Sequence, residues 1–427
     1  MLFQKIALPL ALLATGALAA TGNNSTLTTA TPTAVSKGCS FSDFTATVPS
    51  QVQEVAACPT AVGNIVILGS DLGSSVDLTG VKQIFGDLSI KNATRIISFV
   101  APDLELISGN FEIISATVLE TINLAQLTTV GTLLWNHLNA INSTGLTSGL
   151  TTADSVTISD TTLAALEGIN VFQLKTFDIN NNGNIQLIDS GLKSVTDLLS
   201  VSFNSESVDV KLDYLTSAKN VVFQSVNSIS AANLTSVNGS LTISSSNLKE
   251  LSLDKLTNVG AALTIDDNTK LTDVSFASLK NIAGAFEIAD NTNLGDFGDF
   301  EKLATVGGSV NFTGTFDNGT LPALTRVSGG FSLDSDGDLP CKEFNKLNSD
   351  GVVKGDKYFC AGKSESTSSS SAKSGSGSAT ADSSSSGSGS ASSSSTSSKK
   401  SSGSSNNAGL TGLFMSMIMM CFGVALI

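Results

Sequence analysis

The chain has 427 residues, of which 14% are charged and 6% are aromatic, and it contains one His, one Trp and five Cys. This scarcity excludes most chemistry that needs an imidazole and leaves few ligands for a zinc site, although enzymes that act through paired carboxylates are not excluded. The formal net charge of −14 disfavours nucleic acid as a partner, because an acidic protein repels a phosphate backbone.

Residues 1–19 have the features of a secretory signal peptide. Lys5 precedes an apolar run from Ile6 to Leu18, which is too short to span a bilayer, and small residues follow at Ala17 and Ala19. We therefore expect cleavage after about Ala19 and an oxidising destination outside the cell. Residues 20–38 are predicted to form a flexible N-terminal segment.

A repeat of about 22 residues fills the centre of the chain. Each copy has an anchor residue, often Gly, followed by apolar residues two and four positions later. This alternation predicts one strand per copy, with those two positions facing a core, because successive strand side chains point to opposite faces. The thirteen copies are 63–67, 86–90, 109–113, 131–135, 154–158, 175–179, 199–203, 219–223, 239–243, 261–265, 284–288, 308–312 and 329–333.

Further apolar residues between the strands, such as Leu248, Leu251 and Leu253, give each copy a second buried side. The sequence therefore predicts an all-β, right-handed β-solenoid of about thirteen coils, which would form a rod about 60 Å long at a coil spacing of about 4.8 Å. A helical leucine-rich repeat is the alternative at this period. It usually has a fixed inner Asn or Cys and an outer helix. Because we find no invariant inner Asn and the outer segments are rich in Ser, Thr and Asn, a strand-dominated coil is favoured.

Four cysteines flank the repeats. Cys39 and Cys58 precede the first strand, and Cys341 and Cys360 follow the last one. Four cysteines allow three pairings, but only Cys39 with Cys58 and Cys341 with Cys360 can meet if the rod is about 60 Å long. We expect these disulfides to cap the two ends of a repeat domain that spans residues 39–360, so cysteine usage is structural.

The C-terminal part of the sequence is typical of a stalk and a lipid-attachment signal. Residues 361–405 are rich in Ser and are predicted to form a disordered, O-glycosylated stalk. Residues 404–427 are predicted to be a GPI-attachment propeptide, since small residues precede an uncharged apolar end. The candidate attachment residues are Gly403, Ser404, Asn406 and Asn407. A tail-anchored or single-span protein is the alternative, disfavoured because no basic residue follows the apolar run.

Eight sequons offer sites for N-linked glycans on a secreted chain. Asn311 is the most informative of them, because it lies between two inward residues of its predicted strand and therefore points to solvent. The sequons are at Asn23, Asn24, Asn92, Asn142, Asn233, Asn238, Asn311 and Asn318.

Candidate catalytic residues are few and scattered. The outward carboxylates on the predicted strands are Asp87, Glu112, Asp178 and Glu287, and no clustered pair of the kind used in glycoside hydrolysis emerges. Trp135 is predicted to lie in the core, and His137 just past the strand is predicted to be a surface or turn residue.

The acidic run Asp334-Ser-Asp336-Gly-Asp338 could offer oxygen ligands to Ca²⁺. It lacks the twelfth-position Glu of an EF-hand, so a solvated turn is favoured. No cofactor, metal or catalytic residue is assigned.

The architecture resembles the fungal GPI-anchored cell-wall glycoproteins of the extracellular-mutant and sporulation-specific family, whose repeats have receptor L-domain character. The repeats Val237-Asn-Gly-Ser-Leu-Thr-Ile-Ser244 and Ile282-Ala-Gly-Ala-Phe-Glu-Ile-Ala289 carry the resemblance, together with Leu339-Pro-Cys341 and Cys360. The resemblance implies a leucine-rich-repeat-like fold of the receptor L-domain type. It also implies a role in cell-wall organisation and integrity and, in pathogens, in hyphal growth and virulence.

These observations predict a non-enzymatic, monomeric ectodomain at the outer face of the plasma membrane and in the cell wall. Its expected partners are β-glucan or wall mannoproteins, and the membrane through the GPI lipid. The pair Lys399-Lys400 resembles the dibasic signal that retains such proteins at the plasma membrane, and an incidental charge pair is the alternative. A polysaccharide-binding or polysaccharide-cleaving β-helix protein is the alternative function.

Overall fold

The computed structural model describes residues 29–362, which form 29 β-strands and two short α-helices. The elements of the first half are β1 (Ser40–Ala46), α1 (Pro49–Ala56), β2 (Thr60–Leu68), β3 (Ser75–Asp77), β4 (Gln83–Phe85), β5 (Leu88–Lys91), β6 (Ser98–Val100), β7 (Leu106–Ile114), β8 (Thr121–Asn123), β9 (Thr129–Leu138), β10 (Ser155–Thr161), β11 (Gln173–Asn180), β12 (Leu187–Asp189), β13 (Ser194–Ser202) and β14 (Asp209–Lys211).

The elements of the second half are β15 (Ser217–Gln224), β16 (Ser228–Ser230), β17 (Ser236–Val237), β18 (Leu241–Ser244), β19 (Glu250–Ser252), β20 (Asn258–Val259), β21 (Leu263–Asp266), β22 (Asp273–Ser275), β23 (Asn281–Ile282), β24 (Phe286–Ala289), β25 (Thr305–Val306), β26 (Val310–Gly314), β27 (Arg326–Val327), β28 (Phe331–Ser335), α2 (Lys342–Ser349) and β29 (Tyr358–Ala361).

One long parallel ladder contains a strand from every coil. It runs through β1, β2, β5, β7, β9, β10, β11, β13, β15, β18, β21, β24, β26, β28 and β29. The thirteen predicted strands all belong to it. Strands β1 and β29, which the repeat pattern does not include, extend it at its two ends. The β-solenoid of about thirteen turns is therefore confirmed.

Two further sides complete each coil. Short strands such as β17, β20 and β23 pair in parallel next to the long ladder. Three separate parallel sheets form the remaining side: β3, β6 and β8; β12, β14 and β16; and β19 with β22. No helix lies within the repeats of the described chain, so the strand-dominated coil is correct and the helical alternative is wrong.

The core consists of apolar residues at fixed positions of each coil, and twelve of the thirteen predicted strands have the predicted register. In each of these twelve, the residues two and four places after the anchor are buried. The copy 199–203 is the exception. Leu199 pairs with Phe177 and Val221, whereas Phe203 is 54% exposed. The correct anchor of this coil is Asp197, so the prediction was wrong by two residues.

Buried asparagines occupy one inner position in four of the coils: Asn182, Asn204, Asn268 and Asn291. Each donates through Nδ2 to a backbone carbonyl of the main ladder. The four asparagines also form two pairs in neighbouring coils: Asn182 donates to Asn204 Oδ1, and Asn268 donates to Asn291 Oδ1, both at 3.0 Å. These bonds satisfy backbone groups where the chain leaves the strand. These asparagines are not predicted from the repeat, because they are not present in every coil.

A left-handed turn ends the main strand in most coils. Two residues after the last buried strand residue, φ is about 50° to 60° in ten successive coils, at Asn92, Ser115, His137, Asp160, Asn181, Phe203, Ser225, Ser245, Asp267 and Asp290. Asn, Asp and Ser predominate because short polar side chains tolerate this conformation. Phe203 is the bulky exception.

Each end of the solenoid is closed by a helix and a disulfide. Cys39 and Cys58 are bonded with a Cα separation of 5.6 Å, and helix α1 between them buries Val52 and Val55. Cys341 and Cys360 are bonded with a Cα separation of 6.0 Å, and helix α2 buries Phe344. Both predicted disulfides are present, whereas neither helix was predicted. The caps cover the apolar ends that a solenoid otherwise exposes.

Candidate functional site

The outward side chains of the long ladder form two polar rows. The first row is polar in seven successive strands. The second row extends over nine successive strands and is polar in all of them except at Val222. We call these two rows the sheet face. The first row is Asn136, Ser159, Asn180, Ser202, Gln224, Ser244 and Asp266; the second is Thr157, Asp178, Ser200, Val222, Thr242, Thr264, Glu287, Asn311 and Ser332.

The middle of the sheet face keeps polar groups that the fold itself does not use. Ser159 donates to Asn180 Oδ1 at 2.6 Å, and Asn311 donates to Glu287 Oε1 at 3.1 Å. Within the described residues, by contrast, the side chains of Gln224, Thr242 and Thr264 make no hydrogen bond. Because the backbone of each strand is already paired on both sides, these side-chain donors and acceptors are available to an external partner.

Two of the predicted outward carboxylates serve the fold. Asp87 Oδ1 accepts a hydrogen bond from the Asn110 backbone N–H at 2.7 Å. Glu112 accepts from Ser89 Oγ at 3.0 Å and forms an ion pair with Lys91 at 2.7 Å. Both carboxylates therefore join neighbouring coils and are not placed as a reactive pair.

Four carboxylates interact electrostatically at one place on the long ladder. Asp266 lies on β21 diagonally from Glu287 of β24, which pairs with Thr264, and the left-handed turns add Asp267 and Asp290. Partial burial, followed by the negative charges of Asp290, Glu287 and Asp267, raises the pKa of Asp266 to about 6. This cluster is not predicted from two outward positions per strand, because Asp266 lies at a third outward position and Asp267 and Asp290 lie in turns.

His137 and Trp135 have the locations predicted for them. Trp135 is buried and its ring meets Phe111 edge to face at 6.2 Å. His137 lies in the left-handed turn, and its Nδ1 is 2.5 Å from Asp160 Oδ2 in the next coil. Ser115 occupies the same turn position in the preceding coil, but its hydroxyl makes no hydrogen bond to His137 among the described contacts. With His137 and Asp160 about half exposed, this row is not a Ser-His-Asp triad.

The acidic run at residues 334–338 forms a turn tied to the neighbouring coil. Its backbone N–H groups at Gly337 and Asp338 donate to Ser335 Oγ at 3.1 Å and Asp317 Oδ1 at 2.9 Å. No group of three His, Cys, Asp or Glu side chains in the described chain has an arrangement that could hold a metal ion.

A shallow acidic cavity of about 210 Å³ lies on another side of the coils, away from the sheet face. Its polar lining includes Glu250, Ser252, Asp273, Asp296 and Asp299. The cavity contributes no residue to the carboxylate cluster around Asp266.

Six of the eight predicted sequons fall in the described residues. Asn92, Asn142, Asn233, Asn238 and Asn318 are exposed, and Asn311 is half-buried on the sheet face. Their occupancy remains a prediction. The other two, Asn23 and Asn24, lie outside the described residues, as do the predicted signal peptide, the stalk, the dibasic pair and the GPI attachment candidates Gly403, Ser404, Asn406 and Asn407.

Comparison with curated proteins finds fungal cell-surface relatives across the repeat domain. Cell surface GPI-anchored protein ECM33 of Candida albicans is 39% identical over 328 residues, which cover 76% of this chain and 79% of that protein. Protein ecm33 of Aspergillus fumigatus is 33% identical over 320 residues, covering 74% and 80%. Cell wall mannoprotein PST1 of Saccharomyces cerevisiae is 33% identical over 320 residues, covering 74% and 71%.

The chain belongs to the Ecm33 family of fungal cell-surface proteins. The names of its relatives agree with the predicted location at the cell surface and in the cell wall. No protein-family model and no solved structure matches this Ecm33-family chain. Within residues 29–362, no helix has the length and apolar character needed to cross a membrane.

Proposed function

We propose that this Ecm33-family protein is a non-enzymatic, GPI-anchored glycoprotein that organises the fungal cell wall by presenting its sheet face to wall polymers. The observation that carries the proposal is the two-row polar surface of the long ladder, in which Gln224, Thr242 and Thr264 have unused hydrogen-bonding groups. β-Glucan and wall mannoproteins are the proposed partners, since both offer dense hydroxyl groups along an extended chain.

A regular ladder favours an extended ligand over a small one. The strands repeat at about 4.8 Å, so equivalent side chains present donors and acceptors at even intervals. A polymer lying across the strands makes many weak, similar contacts, and multivalency then supplies the affinity. The proposed role in wall integrity, and in hyphal growth and virulence where the organism is a pathogen, rests on such contacts.

Retention on insoluble β-glucan and on chitin tests the proposal. The full-length protein and two variants are compared. The first carries Thr157→Arg with Thr242→Arg on the sheet face. The second carries Ser75→Arg with Thr121→Arg, two exposed positions on the separate sheet of β3, β6 and β8. We expect the first variant to lose retention and the second to keep it. If neither polymer retains the protein, or both variants bind equally, the sheet face is not a polysaccharide-binding surface.

The same variants address the role in the cell. A deletion strain is expected to be sensitive to wall-perturbing dyes. The form with Ser75→Arg and Thr121→Arg should restore resistance, while the sheet-face form should not. Equal rescue by both forms would separate the wall phenotype from the sheet face.

A polysaccharide-cleaving site is the second candidate, and the carboxylate cluster is the observation that favours it. Asp266 has the raised pKa of a general acid and Glu287 lies on the next strand. Release of soluble sugars from β-glucan by the purified protein, abolished by Asp266→Asn or Glu287→Gln, would establish this function and overturn the non-enzymatic one.

A further inference from the structure

Two exposed aromatic side chains lie two coils apart, and one of them is in the coil next to a predicted glycosylation site. Tyr214 is 64% exposed and Phe172 is 49% exposed. Ser194, Ser217 and Ser236 are paired in three successive coils. The residues three positions before them, Gly191, Tyr214 and Asn233, therefore occupy equivalent positions. The Phe172 ring leans over Gly191, because a Cβ added there would lie 3.5 Å from the ring.

Lys193 borders this aromatic strip on one side. Its Nζ lies 4.7 Å from the centre of the Phe172 ring, at a distance typical of a cation–π contact. We define the Tyr214 strip as Tyr214, Gly191 and Phe172. Large apolar side chains that are exposed together usually mark a contact surface. A surface with only two aromatic rings is too small to bind a protein partner by itself.

The side chain of Asn233 is oriented by hydrogen bonds to both neighbouring coils. Lys255 Nζ donates to Asn233 Oδ1 at 2.6 Å from the following coil. Asn233 Nδ2 donates to the Asp213 backbone carbonyl at 2.7 Å in the preceding coil. The amide nitrogen therefore faces the coil that carries Tyr214, the residue directly after Asp213.

This orientation determines where a glycan would begin. N-glycosylation replaces one of the two hydrogens on Nδ2, and the other hydrogen can still donate to Asp213. The first sugar then starts beside Tyr214. The C–H groups of a pyranose ring carry partial positive charge and pack on the negative face of an aromatic ring, while the sugar hydroxyl groups stay in water.

We propose that the N-linked glycan on Asn233 folds back along the coils and covers the Tyr214 strip. The occupant is the protein's own carbohydrate, and it shields two aromatic rings that solvent would otherwise contact. The exposed sequon at Asn92, by contrast, has no aromatic side chain at the equivalent turn positions on either side, which are Gly69 and Ser115.

A pair of threonines provides a matched test. Thr235 completes the sequon of Asn233, and its Oγ1 donates to the Thr216 carbonyl at 2.9 Å. Thr257 occupies the same ladder position one coil later and donates to the Thr235 carbonyl at 3.0 Å, but it belongs to no sequon. Thr235→Ala therefore removes the glycan while Asn233 stays in place. Thr257→Ala removes an equivalent hydrogen bond, together with the bond that Thr257 Oγ1 accepts from Asn258 Nδ2 at 2.8 Å, and changes no sequon.

Hydroxyl-radical footprinting of the full-length glycoprotein from a fungal host, read by mass spectrometry, measures the exposure of each ring. We expect oxidation of Tyr214 and Phe172 to rise severalfold in Thr235→Ala and to stay at the wild-type level in Thr257→Ala. Phe359, which is 50% exposed and lies on β29, serves as the internal reference.

Glycopeptide analysis of the same samples reports whether Asn233 is occupied. An unoccupied Asn233 in the wild-type protein overturns the proposal. So does an occupied Asn233 with equal oxidation of Tyr214 and Phe172 in the wild type and Thr235→Ala. A rise of the same size in Thr257→Ala would assign the effect to the lost hydrogen bond and would also reject the glycan.

Discussion

Replacing Asn268 with Ala should strongly destabilise the solenoid. Asn268 is fully buried; its Oδ1 accepts from the Ser246 backbone N–H at 3.1 Å, and its Nδ2 donates to the Ile243 carbonyl at 3.1 Å and to Asn291 Oδ1 at 3.0 Å. The substitution removes these three hydrogen bonds from the core, one each to Ser246, Ile243 and Asn291. At about 1 to 1.5 kcal/mol for each hydrogen bond, the expected loss of stability is about 3 to 4.5 kcal/mol.

Urea unfolding of the purified full-length protein, followed by far-ultraviolet circular dichroism, measures this loss. Asn247→Ala is the control in the same coil: Asn247 is half-buried, and its side chain makes one long, solvent-exposed hydrogen bond of 3.5 Å to the Glu206 carbonyl. The control should change the free energy of unfolding by less than about 0.5 kcal/mol. Equal effects of the two substitutions would refute the reasoning, because the buried bonds would then contribute nothing beyond an exposed one.

Three further predictions concern stability. The folded-state pKa of Asp266 is about 6, above its ordinary value of 3.8, so the stability that protonated Asp266 contributes is present below pH 4 and is lost as the pH rises through 6. In Asp266→Asn, the difference in the free energy of unfolding between pH 4 and pH 7 should be smaller by about 1 kcal/mol, after allowance for solvent screening. Cys341→Ser with Cys360→Ser opens a loop with a sequence separation of 19 and should cost about 3 kcal/mol in urea unfolding; a change under about 1 kcal/mol would contradict a capping role. Phe203→Asn should raise the free energy of unfolding by about 1 kcal/mol, because it replaces a bulky, exposed residue in a left-handed turn with one that tolerates this conformation. A decrease in the free energy of unfolding would show that Phe203 packs favourably.

Most of the solenoid was predictable because its repeat places an apolar residue on one strand face at a constant interval. The same regularity produced the error at 199–203. Leu199, Val201 and Phe203 are all apolar and two residues apart, so the alternation fits two registers equally well. The structure separates them through the left-handed turn, which follows the last buried residue by two positions and places Phe203 outside.

The buried asparagines and the carboxylate cluster were harder to predict because both depend on that turn. Asp267-Asn268-Thr269 and Asp290-Asn291-Thr292 repeat the same three residues, which is the local signal for a polar turn followed by an inward amide. Reading only the strand positions leaves the turn unassigned. The turn then brings Asp267 and Asp290 beside the strand residues Asp266 and Glu287, which no single coil reveals.

The residues that hold neighbouring coils together lie mainly outside the sheet face. A row of threonines donates to carbonyls of the preceding coil, and this row includes Thr128, Thr151, Thr216, Thr235, Thr257 and Thr325. The buried asparagines do the same from inside. Since Thr242 and Thr264 of the sheet face make no such bond within the described residues, substitutions there should alter partner binding with little change in stability. The fold thus places most of the side chains that stack the coils outside the sheet face and leaves the side chains of Gln224, Thr242 and Thr264 available to the proposed wall partner.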